Sequence, residues 1–127
     1  MKKSPELLVV FNNTNSDEER IEALKLYQIA FNAKSVYDLE PDESGELHIV
    51  MDINGYKFGL FPGDGYVSNW RSNICCQFEY DTEDELRKTY EILSREAQEH
   101  SIETDFWCKI HAMVIDKFGV VWSLVYS

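Results

Sequence analysis

A twelve-residue segment of this chain occurs twice, and the repeat constrains the fold more than any single residue does. Val50-Met51-Asp52-Ile53-Asn54-Gly55-Tyr56-Lys57-Phe58-Gly59-Leu60-Phe61 returns as Val114-Ile115-Asp116-Lys117-Phe118-Gly119-Val120-Val121-Trp122-Ser123-Leu124-Val125, at a separation of 64 residues and without a gap. Val50/Val114, Asp52/Asp116, Gly55/Gly119 and Leu60/Leu124 are identities, and Phe58/Trp122 keeps an aromatic. Upstream of each copy stand a short apolar run, an acidic helix start and an amphipathic stretch. A repeat half as long as the chain implies two similar modules rather than a solenoid of short units. The register predicts equivalent turns at Gly55 and Gly119. It also sets His111 against Leu47, which would put His48 and His111 on opposite faces of their sheets.

The local patterns give each half the order βαβββ. Leu7 to Phe11 is a short β-rich run. Ser16-Asp17-Glu18-Glu19 has the form of a capping box, in which hydroxyl and glutamate satisfy amide donors at a helix start. Ile21, Leu24, Tyr27 and Phe31, widened by Ala23 and Ala30, recur at helical spacing, and the helix should stop near Asn32-Ala33. Ser35 to Leu39 and Leu47 to Met51 alternate as strands. Asn54-Gly55 predicts a tight hairpin, and Tyr56 to Phe61 runs back from it. Residues 62–71 read as a connection. The second half repeats the plan: a strand from Ile74 to Phe78, then a helix capped at Thr82 with Leu86, Tyr90, Leu93 and Ala97 on its buried side. Strand patterns at 102–107 and 109–115, a turn at Asp116 to Gly119 and a last strand from Val120 to Tyr126 complete it. The expectation is an α+β protein: two βαβββ modules, about 5–61 and 72–126, in one domain of residues 1–127. Their partly open antiparallel sheets would be concave, with helices on the outer face.

Charge narrows the partners. Twelve Lys and Arg against 23 Asp and Glu give a net charge of −11, a field that repels phosphate backbones and anionic membranes. Nucleic acid and membrane are therefore not expected partners. Three cysteines without C-x-x-C spacing support neither a zinc ribbon nor a dithiol redox motif, and suit a reducing compartment. Met1-Lys2-Lys3 is followed by only a five-residue apolar run, too short for a signal peptide, so a cytoplasmic location is expected.

The paired βαβββ plan, the Asp-Lys-Phe-Gly-Val-x-Trp close at Asp116 to Trp122, Phe106-Trp107 before it and a third strand led by His48 resemble the vicinal oxygen chelate superfamily. This is the glyoxalase, bleomycin-resistance and dioxygenase group. The branch most similar to it is that of PhnB-like proteins, also labelled demethylubiquinone methyltransferase-like. The resemblance spans almost the whole chain and implies the fold, a homodimer and a small-molecule ligand. Members commonly hold a divalent metal with a last-strand glutamate and a first-strand histidine. The corresponding last-strand positions here are Gly59 and Ser123, and the first-strand positions fall near Val10 and at Asn73 or Cys75. None is the expected ligand, so no metal and no cofactor are expected.

Strand alternation supplies the candidate site. Leu47, Ile49 and Met51 on one strand, and Ile74, Cys76 and Phe78 on another, suit a helix-facing core. His48, Cys75 and Gln77 are then left for the opposite face, where a histidine can act as acid, base or hydrogen-bonding group. Trp107 suits an aromatic cavity rim. The expected ligand-binding set is His48, Cys75, Gln77 and Trp107. Lys57 is a possible anion contact, and His100 is expected at a helix end. Two readings of function compete. One is a protein that binds a small organic molecule in a concave cavity without the usual metal. The other is a lyase-, isomerase- or dioxygenase-type enzyme using unrecognised metal ligands, for which His48, His111 and Cys108 are the first to examine, or metal-free chemistry through His48.

Overall fold

The computed structural model describes residues 7–11, 16–62, 75–104 and 108–127. The chain divides into two compact units, Met1–Trp70 and Arg71–Ser127. In the first, β1 (Leu7–Phe11), α1 (Ser16–Phe31), β2 (Lys34–Ser35), β3 (Ile49–Ile53) and β4 (Tyr56–Pro62) build a sheet of order β1-β4-β3-β2. In the second, β5 (Cys76–Tyr80), α2 (Glu83–Ser94), β6 (Glu99–Glu103), β7 (Ile110–Ile115) and β8 (Val121–Tyr126) build a sheet of order β5-β8-β7-β6. The expected α+β fold of two βαβββ modules is present.

The sheets are mixed rather than wholly antiparallel. β1 lies parallel to β4, and β5 parallel to β8. The reason is connectivity: the first strand leaves into a helix, so the chain returns through a meander whose last strand takes the place beside it. The meanders themselves are antiparallel hairpins. Two edge strands differ from the sequence reading. β2 spans two residues instead of five, and β6 runs from Glu99 to Glu103, upstream of the 102–107 run. His100 thereby lies in β6, not at a helix end, with its Nδ1 2.7 Å from the Tyr90 hydroxyl.

In the first unit Val9, Phe11, Ile49, Met51, Ile53, Phe58 and Leu60 are buried with Ala23, Leu24, Tyr27 and Ala30 of α1. The helix ends where Asn32 adopts a positive φ of 56°, and the Ala33 amide donates back to the Tyr27 carbonyl at 3.3 Å. Arg20 is buried beside this apolar stripe. Its Nη1 donates to the Leu47 and Leu60 carbonyls at 2.9 and 3.0 Å, and Asp17 accepts from its Nη2. In the second unit Thr82 caps α2, its Oγ1 accepting from the Glu85 amide at 3.2 Å. Leu86, Thr89 and Leu93 are the buried positions of that helix.

The two hairpins are not the same length, and this overturns the gapless register. Val50 lies opposite Gly59, and Met113 lies opposite Ser123. Downstream of the turns the equivalence is 64 residues, pairing Gly59 with Ser123. Upstream it is 63, pairing Val50 with Met113. The first turn has two residues, Asn54 and Gly55, with φ of 52° and 91°, the left-handed pair of a tight hairpin. The second has three, Lys117, Phe118 and Gly119, closed by the Asp116 amide donating to the Val120 carbonyl at 2.9 Å. Gly55 and Gly119 remain equivalent as the last residue of each turn, with φ of 91° and 86°. Val50/Val114 and Asp52/Asp116, though identical, are not structural partners: Val114 and Asp116 are buried, whereas Val50 and Asp52 are partly exposed.

Candidate functional site on the helix-free face of the second sheet

Alternation in β7 buries Ala112 and Val114 under α2 and turns His111, Met113 and Ile115 to the other face. By the 63-residue equivalence His111 corresponds to His48. The expectation of opposite faces is therefore wrong, and the extra turn residue is the reason. His48 stands one residue before β3, on the exposed side of the buried Leu47–Ile49 alternation.

Across the second sheet the register sets Gln77 of β5 beside Ser123 of β8 and Ser123 beside Met113 of β7. The Ser123 hydroxyl donates to Gln77 Oε1 at 3.0 Å, and His111 Nε2 lies 3.1 Å from the same hydroxyl. Amide, hydroxyl and imidazole thus form one hydrogen-bonded line across three strands. Ser123 is only 3% exposed, His111 is half-buried and Gln77 is exposed. The line has two ends that differ in chemistry, an amide able to donate and accept and an imidazole able to change protonation.

The first sheet is built differently at the same place. Gly59 corresponds to Ser123, and the residue beside it is Leu8, where the second sheet has Gln77. A Cβ on Gly59 would meet Leu8 Cδ2 at 2.6 Å, so the leucine fills the space a side chain would take. Leu8 and Phe61 are both substantially exposed, and that face is apolar.

These observations test the divalent metal implied by the fold family. One last-strand position has no side chain and is filled by a leucine methyl. The other has a neutral hydroxyl engaged by Gln77 and His111. By sheet register the first-strand neighbours of these positions are Leu8 and Gln77, not Val10 and Asn73 or Cys75. The residues do not fit the metal.

The other expected site residues fall in separate places. His48 Nε2 lies 3.0 Å from Asp42 Oδ2 and 4.0 Å from Glu46 Oε2, in an exposed loop. Asp42 Oδ1 accepts from the Ser44 amide and hydroxyl and from the Glu46 amide at 2.8, 2.6 and 3.0 Å. The Ser44 hydroxyl first, then the Glu46 amide, lowers the Asp42 pKa from 3.8 to about 2. Asp42, Glu46 and His48 each offer a ligand atom within 4.8 Å of the others, but the Asp42 oxygens are already occupied by these donors. Cys75 is exposed, and Cys76 is half-buried with its thiol pushed up by burial. Cys108 is buried and donates to the Ile110 carbonyl at 3.3 Å. Trp107, Phe106 and Asn73 lie outside the described residues. Lys57 is exposed at the first hairpin. Of the expected set only Gln77 joins the polar line. Ser123 and His111 were legible as residues but not as partners, because the one-residue difference between turns hides their alignment. Only comparing the two turn lengths could have revealed it.

Asp116 explains the Asp-Lys-Phe-Gly-Val-x-Trp run in structural terms. Fully buried, its Oδ1 accepts from the Phe118 and Val120 amides at 2.9 and 3.0 Å, and its Oδ2 from Trp122 Nε1 at 2.9 Å. The motif is a turn staple for the strand that carries Ser123.

No protein-family model and no curated protein sequence matches the chain. Solved structures do. A PhnB protein from Bacillus cereus superposes with a TM-score of 0.77 at 20% identity, covering 98% of this chain and 100% of that one. A protein from Pseudomonas aeruginosa gives 0.73 at 16%, covering 98% of both. The fosfomycin resistance protein FosX from Listeria monocytogenes gives 0.62 at 16%, covering 100% and 94%. Among the described residues no helix is long and apolar enough to cross a membrane. With its two βαβββ modules and these structural neighbours, the chain has the fold of the vicinal oxygen chelate, or glyoxalase and bleomycin-resistance, superfamily.

Proposed function

We propose that this protein binds a small organic molecule on the helix-free face of its second sheet, without the divalent metal usual for its fold. The observation that carries the reading is the Gln77–Ser123–His111 line, which stands where a last-strand carboxylate would otherwise hold a cation. Such a line suits a ligand with a paired donor and acceptor. Gln77 meets one polar group, and His111 offers a second contact whose sign follows its protonation. FosX from Listeria, solved with manganese and 1S,2S-dihydroxypropylphosphonic acid, supports a small-molecule role for the fold. Neither Gly59 nor Ser123 can supply a carboxylate for a metal-dependent version of it.

The binding unit in this reading is the single domain of residues 1–127 acting as a cytoplasmic homodimer. The edge strands of both sheets support association, since edges left in solvent tend to find partners. Cys75, exposed and two residues before Gln77, stays a candidate contact beside it. The test is a thermal-shift screen of small polar aromatics and amides, followed by calorimetry on the best compound. Gln77→Ala and Ser123→Ala should each weaken binding by at least about tenfold. A ligand whose affinity ignores both substitutions, or depends on added manganese or zinc, would refute this reading. Sedimentation at micromolar concentration checks the dimer.

A further inference from the structure

The stretch between β2 and β3 brings exposed apolar side chains and carboxylates together on one short segment. Val36, Tyr37 and Leu39 are exposed by 37%, 59% and 42%, within four consecutive residues. Around them stand Asp38, Glu40, Asp42, Glu43 and Glu46, all exposed, and no lysine or arginine occurs between Lys34 and Lys57. Large apolar side chains left in solvent on one short segment mark interaction surfaces more often than accident. The segment is held in shape from both sides. The Val36 amide donates to the Val50 carbonyl at 2.8 Å, and the Ser35 hydroxyl to the Tyr37 carbonyl at 2.6 Å. Further on, the Glu40 amide donates to the Asp38 carbonyl at 2.9 Å and the Asp42 amide to the Glu46 carbonyl at 2.8 Å. A partner would therefore meet a preorganised surface and lose little conformational entropy in ordering it. In the second unit the corresponding edge strand, β6, pairs with β7 along five residues.

We propose that residues 36–46 form a docking surface for a basic, apolar-containing segment of a partner protein. Charge selects the occupant. Five carboxylates with no lysine or arginine in the segment, Asp42 and Glu46 having His48 within 4.0 Å, favour lysine and arginine, while Tyr37 and Leu39 require apolar side chains between those cations. The homodimer proposed above uses the sheet edges; a second copy meeting this segment with its own 36–46 segment would bring like charge to it. Nucleic acid is excluded on the same ground. The carboxylates steer the encounter, and the aromatic and leucine side chains supply the short-range affinity.

The test uses a fluorescein-labelled amphipathic Lys/Leu peptide and an all-Lys peptide of equal charge, with anisotropy read against the full chain. The Lys/Leu peptide should bind more tightly and retain binding when salt is raised from about 50 to about 300 mM, where exposed charges are screened. Tyr37→Ser with Leu39→Ser should weaken it roughly tenfold, and Asp38→Asn with Glu40→Gln by a comparable factor. A remote control, Glu18→Gln with Asp84→Asn, should change it by less than about twofold. All six side chains are exposed, and circular dichroism verifies that each variant keeps the fold. If the remote pair weakens binding as much as the local pairs, or the Tyr37/Leu39 variant binds like the parent, the interaction is only the general acidic field and the proposal is wrong.

Discussion

The hairpin of the first unit and the hairpin of the second solve one problem in two ways. Between Ile53 and Tyr56 two residues with positive φ turn the chain, and the side chain at the entrance is a buried isoleucine. Between Asp116 and Val120 three residues turn it, and the corresponding entrance side chain is a buried carboxylate. The first turn uses the intrinsic preference of Asn-Gly. The second depends on donors within its own hairpin, because a buried carboxylate is tolerable only when donors surround it. Trp122 is both core and donor there, whereas its equivalent Phe58 is core alone. The first unit places its own buried charge elsewhere, at Arg20, where it ties α1 to the Leu47 and Leu60 carbonyls. Among the described residues each module therefore contains one buried charged side chain, of opposite sign and in a different place.

The largest expected effect breaks that comparison at its sharpest point. Asp116→Ala should cost about 3–5 kcal/mol of stability, because three N–H donors lose their acceptor in the core. Asp52→Ala, at the residue that matches it in sequence but not in space, should cost under about 1 kcal/mol. Urea denaturation compares the two, and equal losses would mean that the sequence alignment was right and the spatial one wrong. Next comes Arg20→Met, which keeps the stem but leaves the Leu47 and Leu60 carbonyls without their donor. It should destabilise by about 2–4 kcal/mol by the same measurement.

Smaller effects separate Gly59 from Ser123. Ser123→Ala should cost about 1 kcal/mol and change the side-chain amide signals of Gln77 in an NMR spectrum. Gly59→Ala should be tolerated if Leu8 swings aside, since the conflicting atom is the far end of a flexible side chain. A larger loss for Gly59→Ala than for Ser123→Ala would mean that Leu8 cannot move.

The smallest effect is a titration in the first unit. The folded-state pKa of Asp42 is depressed to about 2 from 3.8. Its contribution is thus fully present above the ordinary carboxylate range and is lost as pH falls from about 4 through about 2. Carboxyl NMR should give a midpoint near 2, and Ser44→Ala, removing the largest cause, should raise it. An unchanged midpoint in that variant would assign the depression to the Glu46 amide instead.

Much of this architecture was readable in advance. The alternation Leu47-x-Ile49-x-Met51 and the stripe Leu24, Tyr27 and Ala30 identified the helix-facing sides correctly, because burial of one face is what such periods encode. Asn54-Gly55 and Thr82 were legible for equally local reasons, turn geometry and capping. The edge strands were not. Ser35 to Leu39 has strand-like residues, yet only Lys34 and Ser35 pair with β3, since an edge strand ends wherever its partner's free edge is given up. The candidate site was harder still. Gln77 was found by alternation, whereas His111 was assigned to the wrong face by a repeat that hides a one-residue difference.

By itself the sequence determined the βαβββ order, the two-module plan, the Thr82 cap of α2 and the absence of carboxylates at Gly59 and Ser123. Those follow from local propensity, periodicity and residue identity, all of which act within a few residues. Tertiary structure alone decided the parallel pairing of β1 with β4 and β5 with β8 and the register that joins Gln77, Ser123 and His111. Pairing and register are properties of contacts between segments distant in the chain. A period-2 strand can meet its neighbour in more than one register, and one extra turn residue moves every upstream side chain to the opposite face relative to its repeat.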